Sequence, residues 1–354
     1  MRYLCIHGHY YQPPREEPET GEIQEQISAA PYQNWNQRIN AECYRANWKA
    51  QILNDKGQEE ATINNYAFTS FNFGPTLLRW LEKEDAETYE ILRWSDQRSI
   101  QRFGYGSAMA QGYHHSILPL CNQRDKETEI RWAMDDFQHR FRRKADGLWL
   151  AETAVDIDSL EVLAKEGILY TILAPRQAAE IAPLGTEAWR PVSEQNLDTT
   201  QAYQIDLPSG RTIAVFFYDG ELAQDIAFGD ALKNGEQFAY KLMKKASSLA
   251  SNGLIHFATD GESYGHHHRY GEMALGYTIK TMLEQKELRL CNYRQYLALH
   301  PPKNKARIQP VSSWSCSHGV GRWKNNCGCV IDPKKTGQQE WRRVLRDALN
   351  WLRD

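Results

Sequence analysis

The chain has 354 residues, of which 41% are hydrophobic and 25% charged, which supplies a large core and excludes a disordered chain. A formal net charge of −3 offers no basic field to a polyanion, so nucleic acid is not expected as a partner. The opening MRYLCIHGHYY is too short an apolar segment for a secretory signal, and no run approaches the roughly 18 apolar residues of a membrane span. The expectation is a soluble, cytoplasmic protein that does not engage a membrane.

Taken in order, the chain reads as strands alternating with helices. Strands are expected at 2–6, 66–71, 107–111, 147–150, 168–173, 212–217 and 254–258, and helical periodicity runs through 75–81, 127–141, 157–165, 236–249 and 272–283. Successive β-then-α units argue for a parallel α/β barrel. The irregular stretches 10–40 and 176–204 exceed ordinary loop lengths and are expected to form a rim over a site. Residues 1–300 are therefore assigned to a barrel, and 301–354 to a C-terminal segment that contains Trp and Cys and begins a helical domain.

In a parallel barrel the C-terminal strand ends share one site. His7 and His9 are read as following the first strand, Asn72 the second, His114 and His115 the third, Glu152 the fourth, Arg176 the fifth, Asp219 the sixth and Asp260 the seventh. Ionisable groups at every strand end would each need a partner, which points to chemistry rather than packing. With 11 Trp and 18 Tyr, the rim suits a ligand with flat, partly apolar faces, such as a sugar.

Two stretches then match a known pattern. GLWLAETAVD at 147–156 and DGESYGHHHRYGE at 260–272 resemble the nucleophile and acid/base motifs of glycoside hydrolase family 57, while His7-Gly-His9 with Gln12-Pro13 and GYHHSIL at 112–118 are similar to its opening motifs. The chain looks closest to a bacterial branch with a C-terminal domain of the DUF3536 type. The resemblance implies an incomplete, TIM-like (β/α)7 barrel of the glycoside hydrolase/deacetylase type that acts on α-glucans with retention of configuration, with no cofactor. It implies Glu152 as nucleophile and Asp260 as acid/base, with His7, His9, His115, Trp149, His266, Trp314 and Trp323 around an oligo- or polysaccharide.

The residue types agree with that chemistry. Retaining cleavage needs one ionised and one protonated carboxyl about 5 to 5.5 Å apart across the scissile bond. Asp260 is expected to owe a raised pKa to the charge of Glu152. Glu262 and Glu272 are read as supporting the site. Asp219, in FFYDGEL, also follows a strand and on spacing alone is a rival for the acid. Tyr10 and Tyr11 between His9 and Gln12, and His267 and His268 after His266, depart from the family pattern.

Seven cysteines are an odd number, and Cys5, Cys43, Cys121 and Cys291 are scattered, which fits a reducing compartment. Cys316, His318, Cys327 and Cys329 form C-x-H-x8-C-x-C. Four soft ligands so close suit zinc, but C-x-C is tighter than the usual spacing, so buried thiols are expected ahead of a metal or a redox-sensitive Cys pair. Trp314 and Trp323 either offer a face to a sugar or pack between barrel and helical segment. Residues 338–353 read as a basic amphipathic helix with Trp341, Leu345, Leu349 and Leu352 along one side, a pattern expected to continue into further helices.

Three functions fit these residues: a retaining hydrolase or glycosyl-transferring enzyme (amylase, 4-α-glucanotransferase or branching type), a metal-dependent deacetylase or mannosidase-like barrel in which His7 and His9 hold zinc, and a non-catalytic glycan-binding barrel.

Overall fold

In the computed structural model, which describes residues 1–330, 334 and 337–354, seven strands run parallel around an open ring. They are β1 (Arg2–Tyr10), β2 (Ser70–Phe73), β3 (Ala110–Gln111), β4 (Leu148–Trp149), β5 (Tyr170–Leu173), β6 (Thr212–Phe217) and β7 (Leu254–Asp260). β7 pairs with β1 from Leu254 opposite Tyr3 to Asp260 opposite His9. Pairing continues from β1 to β2, from β3 to β4 and from β5 to β6. Bridges from Phe71 to Ala108 and from Gly147 to Tyr170 join the remaining neighbours.

This is an incomplete (β/α)7 barrel. β6 gives its second edge to the antiparallel strand Ala202–Asp206 instead of to β7, and the two barrel strands meet where the Asp219 amide donates to the His256 carbonyl at 2.9 Å. Beyond Ala202–Asp206 the sheet goes on through Asn304–Ile308, Ala178–Pro183 and Arg190–Pro191. The expected boundary at residue 300 falls just ahead of a strand of this sheet.

Helices cover the barrel where the chain supplies a cap and an apolar face. Asp85, Asn122, Asp156, Asp219 and Asn234 each accept a hydrogen bond from a first-turn amide of the helix they open, a contact worth about 1 kcal/mol apiece. Apolar residues of β1 and β7 are buried throughout, including Leu4, Ile6, Ile255 and Phe257, as expected of strands packed on both faces.

Several expectations are corrected. β1 runs to Tyr10, so His7 and His9 lie within the strand; polar residues at alternate positions hid its second half. Asn72 likewise lies inside β2, and Tyr66 sits in the 3-10 turn Asn65–Ala67 ahead of it. The stretch expected to be irregular up to residue 40 already turns helical at Trp35, and 176–204 holds two strands of the extended sheet and the start of a third instead of a free rim. The strand Leu288–Leu290, unexpected from the sequence, pairs with the first half of β1. The expected amphipathic helix is present as Trp341–Arg353, with Trp341, Leu345, Leu349 and Leu352 exposed. No helix among the described residues is long and apolar enough to cross a membrane.

Candidate active site

The barrel floor is one layer of residues set by strand register. Asp260 on β7 is paired with His9 on β1, His9 with Asn72 on β2, and Gln111 on β3 with Trp149 on β4. Side chains close the remaining gap, the Asn72 amide donating to Gln111 Oε1 at 2.6 Å and to His9 Nδ1 at 2.8 Å. His9 therefore carries its proton on Nε2, 3.1 Å from His115 Nε2. His7 reaches Ser70 Oγ at 2.9 Å and Asn72 Oδ1 at 3.0 Å. Burial lowers His7 to about 3 and His115 to about 4, and it also lowers His9, with help from the neighbouring His115 and His7. The floor is thus uncharged at neutral pH.

Glu152 sits above this floor, just past β4, in the 3-10 turn Ala151–Thr153. Its φ of 57° and that of Thr153, 49°, lie in the left-handed region, a conformation that side-chain-bearing residues adopt at a cost and that clusters at functional sites. Buried Gln177 holds the turn: its Oε1 accepts from Thr153 Oγ1 and the Ala174 amide, and its Nε2 donates to the Thr153 carbonyl and Ser312 Oγ, all between 2.8 and 3.0 Å. A strap after the barrel crosses at the same place. Ser312 pairs with Val155, the Trp314 amide donates to the Glu152 carbonyl, and the Glu152 carboxylate Oε2 accepts from Trp314 Nε1 at 3.0 Å and Ser315 Oγ at 2.5 Å.

Asp260 closes β7 with part of its side chain exposed to solvent, while the surrounding protein still desolvates its carboxyl. Its carboxyl accepts no hydrogen bond from any described residue. Burial, and then the charge of Glu152, raise its pKa to about 6. The sequence-based expectation had the second cause alone; desolvation is the larger. Two residues on, Glu262 is buried and accepts from Tyr44 Oη at 2.6 Å, and burial together with Asp260 pushes it up to about 8. Tyr44 belongs to a helical stretch, Trp35–Trp48, interrupted by the π-turn Asn40–Tyr44. From the same stretch Glu42 meets His266 Nδ1 at 2.5 Å, the Cys43 thiol donates to the Gly261 carbonyl and Asn47 donates to the Tyr264 carbonyl at 2.7 Å.

The structure brings together Glu152, Asp260, His9, His115 and Trp314. Other expected residues stand further back. His7 is wholly buried with both ring nitrogens engaged, and Trp149 is wholly buried beneath His7 and His9, their ring centroids 5.0 Å from its own. They form the wall and leave no face for a sugar. The occupied nitrogens of His7 also weigh against its serving with His9 as a zinc ligand. His266 is tied to Glu42 at the rim. Trp314 presents its indole N–H to Glu152, which the stacking reading missed. Trp323 lies in the turn Gly321–Trp323, with no ring contact or side-chain hydrogen bond to the site among the described residues. Asp219 is not a free acid, since it caps helix Gly220–Phe228 through the Leu222 amide and pairs with Lys245. Glu272 is buried in the first turn of helix Gly271–Glu284. Sequence reasoning passed over Ser315, Gln177 and Tyr44, whose roles arise from contacts distant in the chain.

Comparison with known proteins adds three findings. Residues 7–309 match the family model of Glycosyl hydrolase family 57. Alpha-amylase 1 of Dictyoglomus thermophilum is 28% identical over 194 residues, 55% of this chain and 25% of that protein, so the chain spans a quarter of this relative's length. Among solved structures, an exo-type maltose-forming amylase from Pyrococcus sp. ST04 has a TM-score of 0.69 at 15% identity over 99% of this chain and 62% of its own. The 4-alpha-glucanotransferase from Thermococcus litoralis has a TM-score of 0.63 at 16% identity over 88% and 42%. At such identities these two likenesses speak for the fold.

Proposed function

Because the chain belongs to glycosyl hydrolase family 57, we propose that it cleaves or transfers α-glucan linkages with retention of configuration, through Glu152 and Asp260. One observation carries this reading: Asp260 lies opposite His9 in the strand register, and Trp314, whose ring centroid is 6.4 Å from that of His9, donates to Glu152. Two carboxyl groups from strand ends far apart in the chain thus meet at one site, where the charge of Glu152 helps hold the proton on Asp260. In the first step a Glu152 carboxylate oxygen attacks the anomeric carbon while Asp260 gives its proton to the departing glycosidic oxygen. Glu152 Oε2 is already engaged by Trp314 and Ser315, which leaves Oε1 for the attack. In the second step Asp260 takes a proton from water or a sugar hydroxyl, that oxygen bonds the anomeric carbon, and Glu152 is released.

His115 suits this role, since it is half-buried, is engaged by His9 through Nε2 and, held neutral by burial, can offer Nδ1 to a sugar hydroxyl without competing for the Asp260 proton. Trapping with a mechanism-based α-glucosyl fluoride, followed by peptide mapping, tests the assignment. Label on Glu152 is expected; label on a different carboxylate, or none with any α-glucoside, overturns it.

A further inference from the structure

We propose that Cys316, His318, Cys327 and Cys329 bind one zinc ion, as a structural site that closes the strap carrying Trp314 and Ser315. The close spacing of C-x-C reads against a metal when the chain is treated as a line, but the fold removes that objection. The four ligand atoms lie within 4.8 Å of one another. Cys316 Sγ is 3.8 Å from Cys329 Sγ, and Cys329 Sγ is 3.5 Å from His318 Nδ1. Tetrahedral zinc, with bonds of about 2.3 Å to sulfur and about 2.0 to 2.1 Å to nitrogen, sets sulfurs about 3.8 Å apart and sulfur to nitrogen about 3.6 Å. These two edges match that polyhedron and the remaining ligand atom stands within 4.8 Å of the others, whereas a disulfide requires about 2.05 Å.

The backbone is shaped for the same purpose. Gly319 and Gly328 adopt φ of 70° and 78°, which glycine accepts without strain, and Gly328 turns the chain between Cys327 and Cys329 so that both thiols reach one point. At Gly321 a Cβ would stand 3.1 Å from that of Cys327 and 3.3 Å from that of His318. The loop hangs directly from the site, with Ser313 Oγ donating to the Gly319 carbonyl at 2.7 Å. Zinc here would exchange three thiol protons for three Zn–S bonds and take a lone pair from neutral His318. It would cross-link residues 316–329 behind Ser315 and touch no substrate.

The test reads metal on the whole chain, independently of any glycosidase activity. Purified under reducing conditions, the protein is expected to hold about one zinc per chain by plasma mass spectrometry, and, after stripping, to take up Co2+ with a thiolate-to-cobalt charge-transfer band. The Cys316→Ser, Cys329→Ser double variant is expected to lose at least about nine-tenths of that zinc. Should it fail to fold, native mass spectrometry of the unaltered chain serves instead, where chelation is expected to remove one zinc and expose three thiols to a colorimetric reagent. Protein that binds neither metal, a variant that keeps its zinc, or a Cys316–Cys329 disulfide in place of metal overturns the proposal.

Discussion

Glu152 keeps a left-handed backbone and a carboxylate oxygen shared by two donors, so its position depends on few contacts. Ser315→Ala removes one of them and is expected to lower kcat about ten- to a hundredfold, the range for a hydrogen bond to a charge; burst kinetics with an activated glucoside locate the loss in the attack step. As the proposed acid, Asp260 would enter the reaction protonated, so kcat/KM is expected to fall as pH rises through about 6. In Glu152→Gln the repelling charge is gone and Asp260 should titrate lower by carboxyl NMR. An unchanged value would leave burial as the whole cause. Glu262 carries a stability signature: its folded pKa of about 8, against an ordinary 4.5, means that the folded state binds more protons between those values. Its contribution is complete at the acid end and is lost as pH climbs through about 8. Glu262→Gln should flatten the decline of the urea midpoint over that window.

At the scale of elements, the loop after β7 is fixed by close approach. A Cβ on Gly261 would lie 2.1 Å from the Tyr10 ring, and one on Gly265 2.2 Å from the Glu42 carbonyl. Gly261→Ala is therefore expected to cost about 1 to 3 kcal/mol in urea unfolding. Strand and helix positions were legible where local rules acted alone. β6 and helix Ile157–Lys165 match their expected bounds because an apolar run and a capping Asp define them. The reading failed where pairing decides: β3 and β4 are two-residue ladders within longer stretches expected as strands, and Ala178–Pro183, with Glu180 in its middle and an exposed Pro183 at its end, offers no continuous apolar run. Both carboxylates were legible through their motifs. Their supports were not, since Ser315 meets Glu152 across 163 residues and Tyr44 meets Glu262 across 218.

For the whole molecule, barrel, extended sheet and strap act as successive layers around one candidate site. Ala202–Asp206 occupies the edge that β7 leaves free on β6, and Asn304–Ile308, which follows the last barrel strand, backs that seam strand on its other side. The strap begins beyond it, at Ser312. A chain ending at Gln309 would retain every barrel strand and the seam strand while lacking both donors to Glu152. Its circular dichroism should resemble the longer chain's and its turnover should not. On the proposed roles of Trp314 and Ser315, the unit that folds and the unit that works have different ends, and a fragment chosen for its architecture would be well formed yet idle.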